Sequence, residues 1–158
     1  MNRLLRAGLL ATLLLFTVGS SFAADKIFDE KRDPAKDLSS AEAQAAAEHK
    51  NILLDVGGDW CSWCHLLDRT LNENSSLKST LEKNYVVVHV NWSRENENEP
   101  FLSHYPIANG FPYLLVLSAD GKLLHAQPTD ALEADHKLAS GYNQQAILTF
   151  LTSWAPRR

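Results

Sequence analysis

The amino-acid sequence predicts an α/β fold, a central mixed β-sheet flanked by helices. Three observations carry this. Residues 52–56 and 85–90 are short apolar runs, and the stretch between them has apolar residues at helical spacing, so the two runs read as parallel strands joined by a helical crossover. Residues 112–117 form a third run. The triplet Ala119-Asp120-Gly121 then turns the chain into residues 122–126, an antiparallel hairpin.

Each element has a local reason. Residues 1–23 read as a signal peptide: Arg3 and Arg6 begin it, residues 9–18 are continuously apolar, and Ser21-Phe22-Ala23 offers small residues for cleavage near Ala23-Ala24. That apolar run is short for a membrane span, and no cysteine near the cleavage site suggests a lipid anchor. The expectation is a periplasmic or secreted protein without a membrane anchor. Residues 24–38, with Pro34, are expected to be an extended segment that packs late or loosely. Residues 39–158 are then one domain, large enough to bury a core. Losing Arg3 and Arg6 takes the formal charge from −4 to −6, which argues against nucleic acid as a partner.

Ser39 with Glu42 three residues on reads as a capping box, opening an alanine-rich helix that ends near His49. Gly57-Gly58 closes the first strand, and a helix is expected from Cys61. Residues 75–83 suggest a further short helix. Residues 91–100 are polar and acidic, a surface loop, and residues 127–140 read as irregular. Ile147, Leu148, Leu151 and Trp154 place an amphipathic helix over residues 142–154. Trp92 and Trp154 read as core.

The chemistry lies in Trp60-Cys61-Ser62-Trp63-Cys64. These are the chain's 2 cysteines, placed where a strand hands over to a helix. A disulfide between them would enclose Ser62 and Trp63 alone, and a loop that short contributes little stability. Reactivity is the better reason for the pair. Cys61, in the first helical turn, lies beside unpaired backbone N–H groups and the positive end of the helix dipole, which favour a thiolate. It is expected to be the exposed nucleophile, and Cys64, one turn deeper, the shielded resolving thiol. Asp55 interrupts an apolar strand; burial disfavours its charged form and suits it to proton transfer. His89, similarly placed in residues 85–90, is its candidate neighbour across the sheet. Trp60 and Trp63 are expected to wall the disulfide as an apolar docking surface.

Residues 52–64, from Ile52 through Asp55 and Trp60 to Cys64, resemble the active-site strand and helix of the thioredoxin superfamily. Residues 105–113, containing Phe111-Pro112, are similar to that superfamily's cis-proline segment, one residue longer than in ordinary thioredoxin. The resemblance spans about residues 39–154. It implies a thioredoxin-like fold, Cys61 as nucleophile, Cys64 as resolving thiol, Asp55 as proton-transfer acid, and a cis Pro112. It further implies that Phe111 offers its backbone to an extended substrate segment, and that His89 stands where thioredoxin has a lysine. Ser62-Trp63 replaces the Gly-Pro of thioredoxin. The histidine that precedes the second cysteine in strongly oxidising relatives is absent, which favours a reductase or isomerase-like protein over a strong oxidase. The implied partners are protein thiols or disulfides and a redox partner that resets the pair, with no cofactor beyond the redox-active disulfide.

Two alternatives stand beside this. Cys61-Ser62-Trp63-Cys64-His65 also fits c-type haem attachment; against it, the only methionine is Met1 and the motif follows a buried strand. A redox-inactive binding or chaperone module on the same fold is the other. His65 is otherwise expected to tune the redox site. Two cysteines with scattered histidines are a weak zinc signal, and residues 94–99 lack calcium-ligand spacing, so no metal is expected.

Overall fold

The computed structural model describes residues 26–108, 110–135 and 140–157. The expected signal peptide and its cleavage site lie outside the described residues. The elements are α1 (Pro34–Glu48), β1 (Asn51–Gly57), α2 (Ser62–Glu73), α3 (Ser75–Asn84), β2 (Tyr85–Asn91), α4 (Glu99–Leu102), β3 (Tyr113–Leu117), β4 (Leu123–Pro128), a 3-10 turn (Thr129–Leu132) and α5 (Gln144–Ser153). The sheet order is β2-β1-β3-β4, with β1 and β2 parallel and the other pairs antiparallel. This is the mixed sheet that the strand and turn pattern predicts.

Strand β1 is buried along its whole length, which explains an apolar run that only Asp55 interrupts. Side chains alternate across a strand, so its residues divide between two cores. Ile52, Leu54 and Val56 pack with Ala41 and Ala45 of α1, Val88 and Val90 of β2, and Leu115 of β3. Leu53 packs on the other face with Leu67, Leu71, Leu77, Leu81, Ile147 and Leu151 from α2, α3 and α5. Each such leucine contributes about 1.5–3 kcal/mol by burial. Asp55 and Gly57 share the face of Leu53, so the one ionisable residue of β1 points toward the α2 side.

Helix α1 begins earlier than the capping-box pattern indicates. Asp33 is its N-cap, accepting from the N–H groups of Ala35 and Lys36, and Pro34 opens the first turn. A proline there sacrifices no intrahelical hydrogen bond and its φ already suits the helix, so Pro34 starts α1 instead of holding the segment extended. Ser39 lies mid-helix and exposed. Residues 34–38 therefore belong to the domain. The segment before them is not loosely packed either: Phe28 is 2 % exposed.

Asn74 separates α2 from α3, accepting from the N–H groups of Ser76 and Leu77. The polar loop after β2 is pinned by its asparagines. Asn91 Nδ2 donates to the Asn96 carbonyl at 2.9 Å, Asn98 Nδ2 donates to the Asn91 carbonyl at 2.7 Å, and α4 follows. No helix among the described residues is long and apolar enough to cross a membrane.

Candidate active site

Strand β1 delivers the chain to the site through Gly57 and Gly58, and neither position has room for a side chain. A Cβ on Gly57 would stand 2.6 Å from Cys64 Sγ; one on Gly58 would stand 2.7 Å from the Trp92 carbonyl oxygen. Cys61 then takes the N-cap of α2 with extended backbone (φ −96°, ψ 107°). Cys61 and Cys64 are joined in a disulfide, with Cα atoms 5.2 Å apart. The Cys64 backbone N–H donates to Cys61 Sγ at 3.1 Å, so the outer sulfur occupies the acceptor position a capping oxygen usually fills. Cys64 is fully buried and Cys61 is 5 % exposed. The order of accessibility is as expected, but Cys61 is not openly exposed: Phe28, Ile27, Trp63 and Phe111 pack around the pair.

The Phe111–Pro112 peptide bond is cis, the isomer the resemblance implies. The Phe111 carbonyl oxygen lies 3.7 Å from Cys61 Sγ. Thr129 holds this segment from behind, its hydroxyl donating to the Pro112 carbonyl at 2.7 Å. Trp60 is 57 % exposed beside the disulfide, and its Nε1 donates to the Trp92 carbonyl at 2.7 Å. Trp92 stacks on Phe111 with centroids 4.9 Å apart, and Trp60 meets both rings edge-on. Trp92 thus joins the aromatic wall of the site, beyond the core role expected of it. Trp63 turns inward instead, against the α2-side core, edge-on to Tyr142, whose hydroxyl donates to the Trp63 carbonyl at 3.5 Å. Burial pushes the Tyr142 phenol up to about 12, so it stays protonated as a donor.

Asp55 is 2 % exposed, and the parallel register sets it beside His89. His89 Nδ1 lies 3.2 Å from Asp55 Oδ2, while Oδ1 has no hydrogen-bond partner among the described residues. Burial opposes a charge on His89, but the hydrogen bond to Asp55 and the charges of Asp55 and Asp68 outweigh it and raise its pKa above the ordinary imidazole value. Asp68, on α2, is held above the usual carboxylate range, first by burial, with Asp55 adding to the effect. His65 sits apart from this group: its Nε2–H donates to the Asp59 carbonyl at 2.9 Å and braces the loop before Cys61.

A model of the thioredoxin-like family matches residues 33–119 of this chain. The chain belongs to the thioredoxin-like family. It is 30 % identical over 97 residues to the disulfide bond reductase DsbH of Chlamydia pneumoniae, an alignment covering 54 % of this chain and 58 % of that relative. It is 27 % identical to a solved disulphide isomerase of Xylella fastidiosa Temecula1, covering 83 % of this chain and 98 % of that one with a TM-score of 0.69. The oxidised C-terminal domain of Neisseria meningitidis DsbD shares the fold, with a TM-score of 0.55 at 14 % identity, over 77 % of this chain and 96 % of that one.

Three residues of this thioredoxin-like site escaped the sequence reading. Phe28 reaches the disulfide from the N-terminal segment and meets His89 edge-on at 5.4 Å. Asp59 ties that segment down, accepting from the Ile27 and Phe28 N–H groups at 3.1 Å each. Trp92 follows β2 directly, and its N–H donates to the Gly57 carbonyl. The signal for Trp92 was available: the parallel register that pairs Asp55 with His89 also sets Asn91 beside Gly57, one residue short of it. Phe28 offered only an isolated Ile-Phe pair in a polar stretch.

Proposed function

We infer that this protein is a thiol–disulfide oxidoreductase that exchanges dithiol for disulfide with protein substrates through Cys61 and Cys64. The observation that carries the reading is the Cys64 N–H aimed at Cys61 Sγ in the first turn of α2. In the reduced protein, that N–H and the helix dipole favour a thiolate at position 61. The thiolate attacks one sulfur of a substrate disulfide; a bond forms to Cys61, and the other substrate sulfur leaves with the electron pair as a thiolate. Cys64 then gives its proton to Asp55 and attacks the Cys61 sulfur. The 61–64 disulfide forms, the bond to substrate breaks, and the protein has supplied two electrons.

Phe111 offers its backbone to an extended substrate segment, with Pro112 holding the turn and Trp60 and Trp63 flanking the sulfurs. His65 and His89 are the tuning residues. Tryptophan in place of histidine before Cys64 supports a reductase or isomerase-like role, as do the names of a reductase and an isomerase among its relatives. The basic-then-apolar start of the chain supports export to an oxidising compartment, where a redox partner resets the pair.

The test is trapping. Cys64→Ser should accumulate a mixed disulfide with protein substrate through Cys61, visible as a reducible adduct on a gel, while Cys61→Ser should not. Adducts formed by Cys61→Ser alone would reverse the roles. A reduction potential near the strongly oxidising end of the family's range would overturn the reductase assignment.

A further inference from the structure

Asp55 has almost no exposed surface of its own. It is 2 % exposed, its Oδ1 is unpartnered among the described residues, and its Oδ2 faces His89 Nδ1. A neighbour with more exposed surface gives a proton delivered to Asp55 a shorter path outward. His89 is placed to be that neighbour. It lies on β2, an edge strand of the sheet, and its side chain keeps 35 % of its accessibility where the Asp55 side chain keeps 3 %. It also lines two clefts, one of 390 Å³ shared with Asp55 and Asp68, and one of 510 Å³ on the other side, under the N-terminal segment.

Cys64 is on the same side of the sheet. The α-hydrogen face of Gly57 lies against Cys64 Sγ, and Asp55, two residues earlier on β1, points to that face too. Cys64, Asp55, His89 and the clefts thus form an ordered series from the buried thiol outward.

We propose that His89 is the outlet for the proton that Asp55 takes from Cys64, so that this imidazole sets the pH at which the mixed disulfide is resolved. This rests on the reading of Asp55 as proton acceptor given above. In the step, the Cys64 S–H proton passes to Asp55 and the thiolate forms the bond to Cys61. The Asp55 proton moves from Oδ2 to the lone pair on His89 Nδ1, and the resulting imidazolium releases its Nε2 proton to water in the cleft; proton exchange with water then returns the ring to the Nε2–H tautomer and frees Nδ1 for the next turnover. No electrons move in the relay. When His89 is already protonated it has no lone pair to offer. Resolution is therefore slow at low pH and rises as His89 loses its proton.

The charges around His89 set where that happens. Asp55 from β1 and Asp68 from α2 favour the imidazolium, and Phe28 of the N-terminal segment closes over the ring edge. In the outer cleft Arg32 and Asp37 pair with each other, leaving Lys26 and Asp29 as the other charged residues there. In the inner cleft the remaining charged groups are Lys50 and Glu82.

Single-turnover oxidation of the reduced full chain by oxidised glutathione, followed by tryptophan fluorescence, separates the two chemical steps. The glutathione-dependent phase reports attack by Cys61, and the concentration-independent phase reports resolution by Cys64. In the parent protein the second phase should rise with pH, with an inflection above the ordinary imidazole value of about 6.5. His89→Gln should slow that phase roughly tenfold on the alkaline side of the inflection, remove the inflection, and leave the first phase unchanged within about twofold. An inflection that persists in His89→Gln, or equal loss in both phases, overturns the proposal. Asp55→Asn separates it from its foundation. If Asp55→Asn leaves resolution intact, the acceptor role itself fails; if Asp55→Asn slows resolution and His89→Gln does not, the relay alone fails. A proton NMR titration of the oxidised protein gives a check independent of turnover: the His89 ring should titrate above ordinary imidazole, and lower in Asp55→Asn. A ring that does not titrate overturns the relay.

Discussion

Helices α1 and α2 begin with almost the same backbone. The N-cap Asp33 has φ −94° and ψ 106°, and the N-cap Cys61 has φ −96° and ψ 107°. Helices α3 and α5 are capped likewise by Asn74 and Asn143. At three helix starts an oxygen accepts two backbone N–H groups and the arrangement serves stability. At the fourth, a sulfur takes the place of the oxygen. A geometry that steadies an anionic or polar cap elsewhere would, with a reduced thiol in it, favour the thiolate over the thiol. The environments differ as well: Asp33 is exposed, while Cys61 is closed in by Phe28, Trp63 and Phe111.

The largest effect that could break this comparison is loss of the sulfur. Cys61→Ser should keep the fold, because serine is a good N-cap, while reduction of a protein disulfide in a turbidity assay falls to background. Residual turnover well above background would remove Cys61 from the nucleophile's role. Next in size is the lid over the pair. Phe28→Ala should cost about 3 kcal/mol in urea denaturation, the typical loss for a buried phenylalanine. It should also speed alkylation of Cys64 in the reduced protein, which tests whether the N-terminal segment shields that thiol.

Gly57→Ala sharpens the comparison from the strand side. A methyl group directed at Cys64 Sγ must displace the sulfur or the strand, at about 1–3 kcal/mol in the same denaturation experiment. An unchanged midpoint would mean the close approach is relaxed without strain.

The smallest effect concerns α1. Backbone N–H groups, that of Lys36 foremost, hold the Asp33 carboxyl below its ordinary range. A group whose pKa is lower in the folded state contributes stability above its unfolded value, about 3.9 for aspartate, and loses it as the pH falls through the folded value. Asp33→Asn should therefore be slightly less stable than the parent near neutrality, and the two melting temperatures should converge below about pH 4. A difference that does not depend on pH would assign the cap to hydrogen bonding alone.

Much of the fold was legible because strand and helix periods are local properties. The apolar runs that become β1, β2 and β3 sit where their burial demands, and Asp55 stood out because it breaks such a run. Helix α1 was misplaced by its start, since Pro34 reads as a breaker until Asp33 ahead of it is seen as the cap. The polar loop after β2 gave no sign of α4, whose four residues are too few to show a period and follow a network of asparagine side chains.

The site divides in the same way. The two cysteines, the tryptophan before them and the cis-proline segment carry their spacing in the chain itself. Phe28 does not, and Trp92 does so only through the β1–β2 register, because a lone aromatic residue has the same local pattern whether it fills a core or lines a cleft.

By itself, the chain determined which residues alternate into the sheet, that a thiol pair stands at a strand-to-helix junction, and which carboxylate lies buried behind it. The tertiary structure alone decided that the N-terminal segment folds over the disulfide, that Trp92 stacks on Phe111, and that His89 lines two clefts. A residue's face within its own element depends on the dihedral period of its neighbours, which sequence displays. What covers that face depends on pairing and packing free energies summed over segments tens of residues apart, and these leave no mark on any one stretch of sequence.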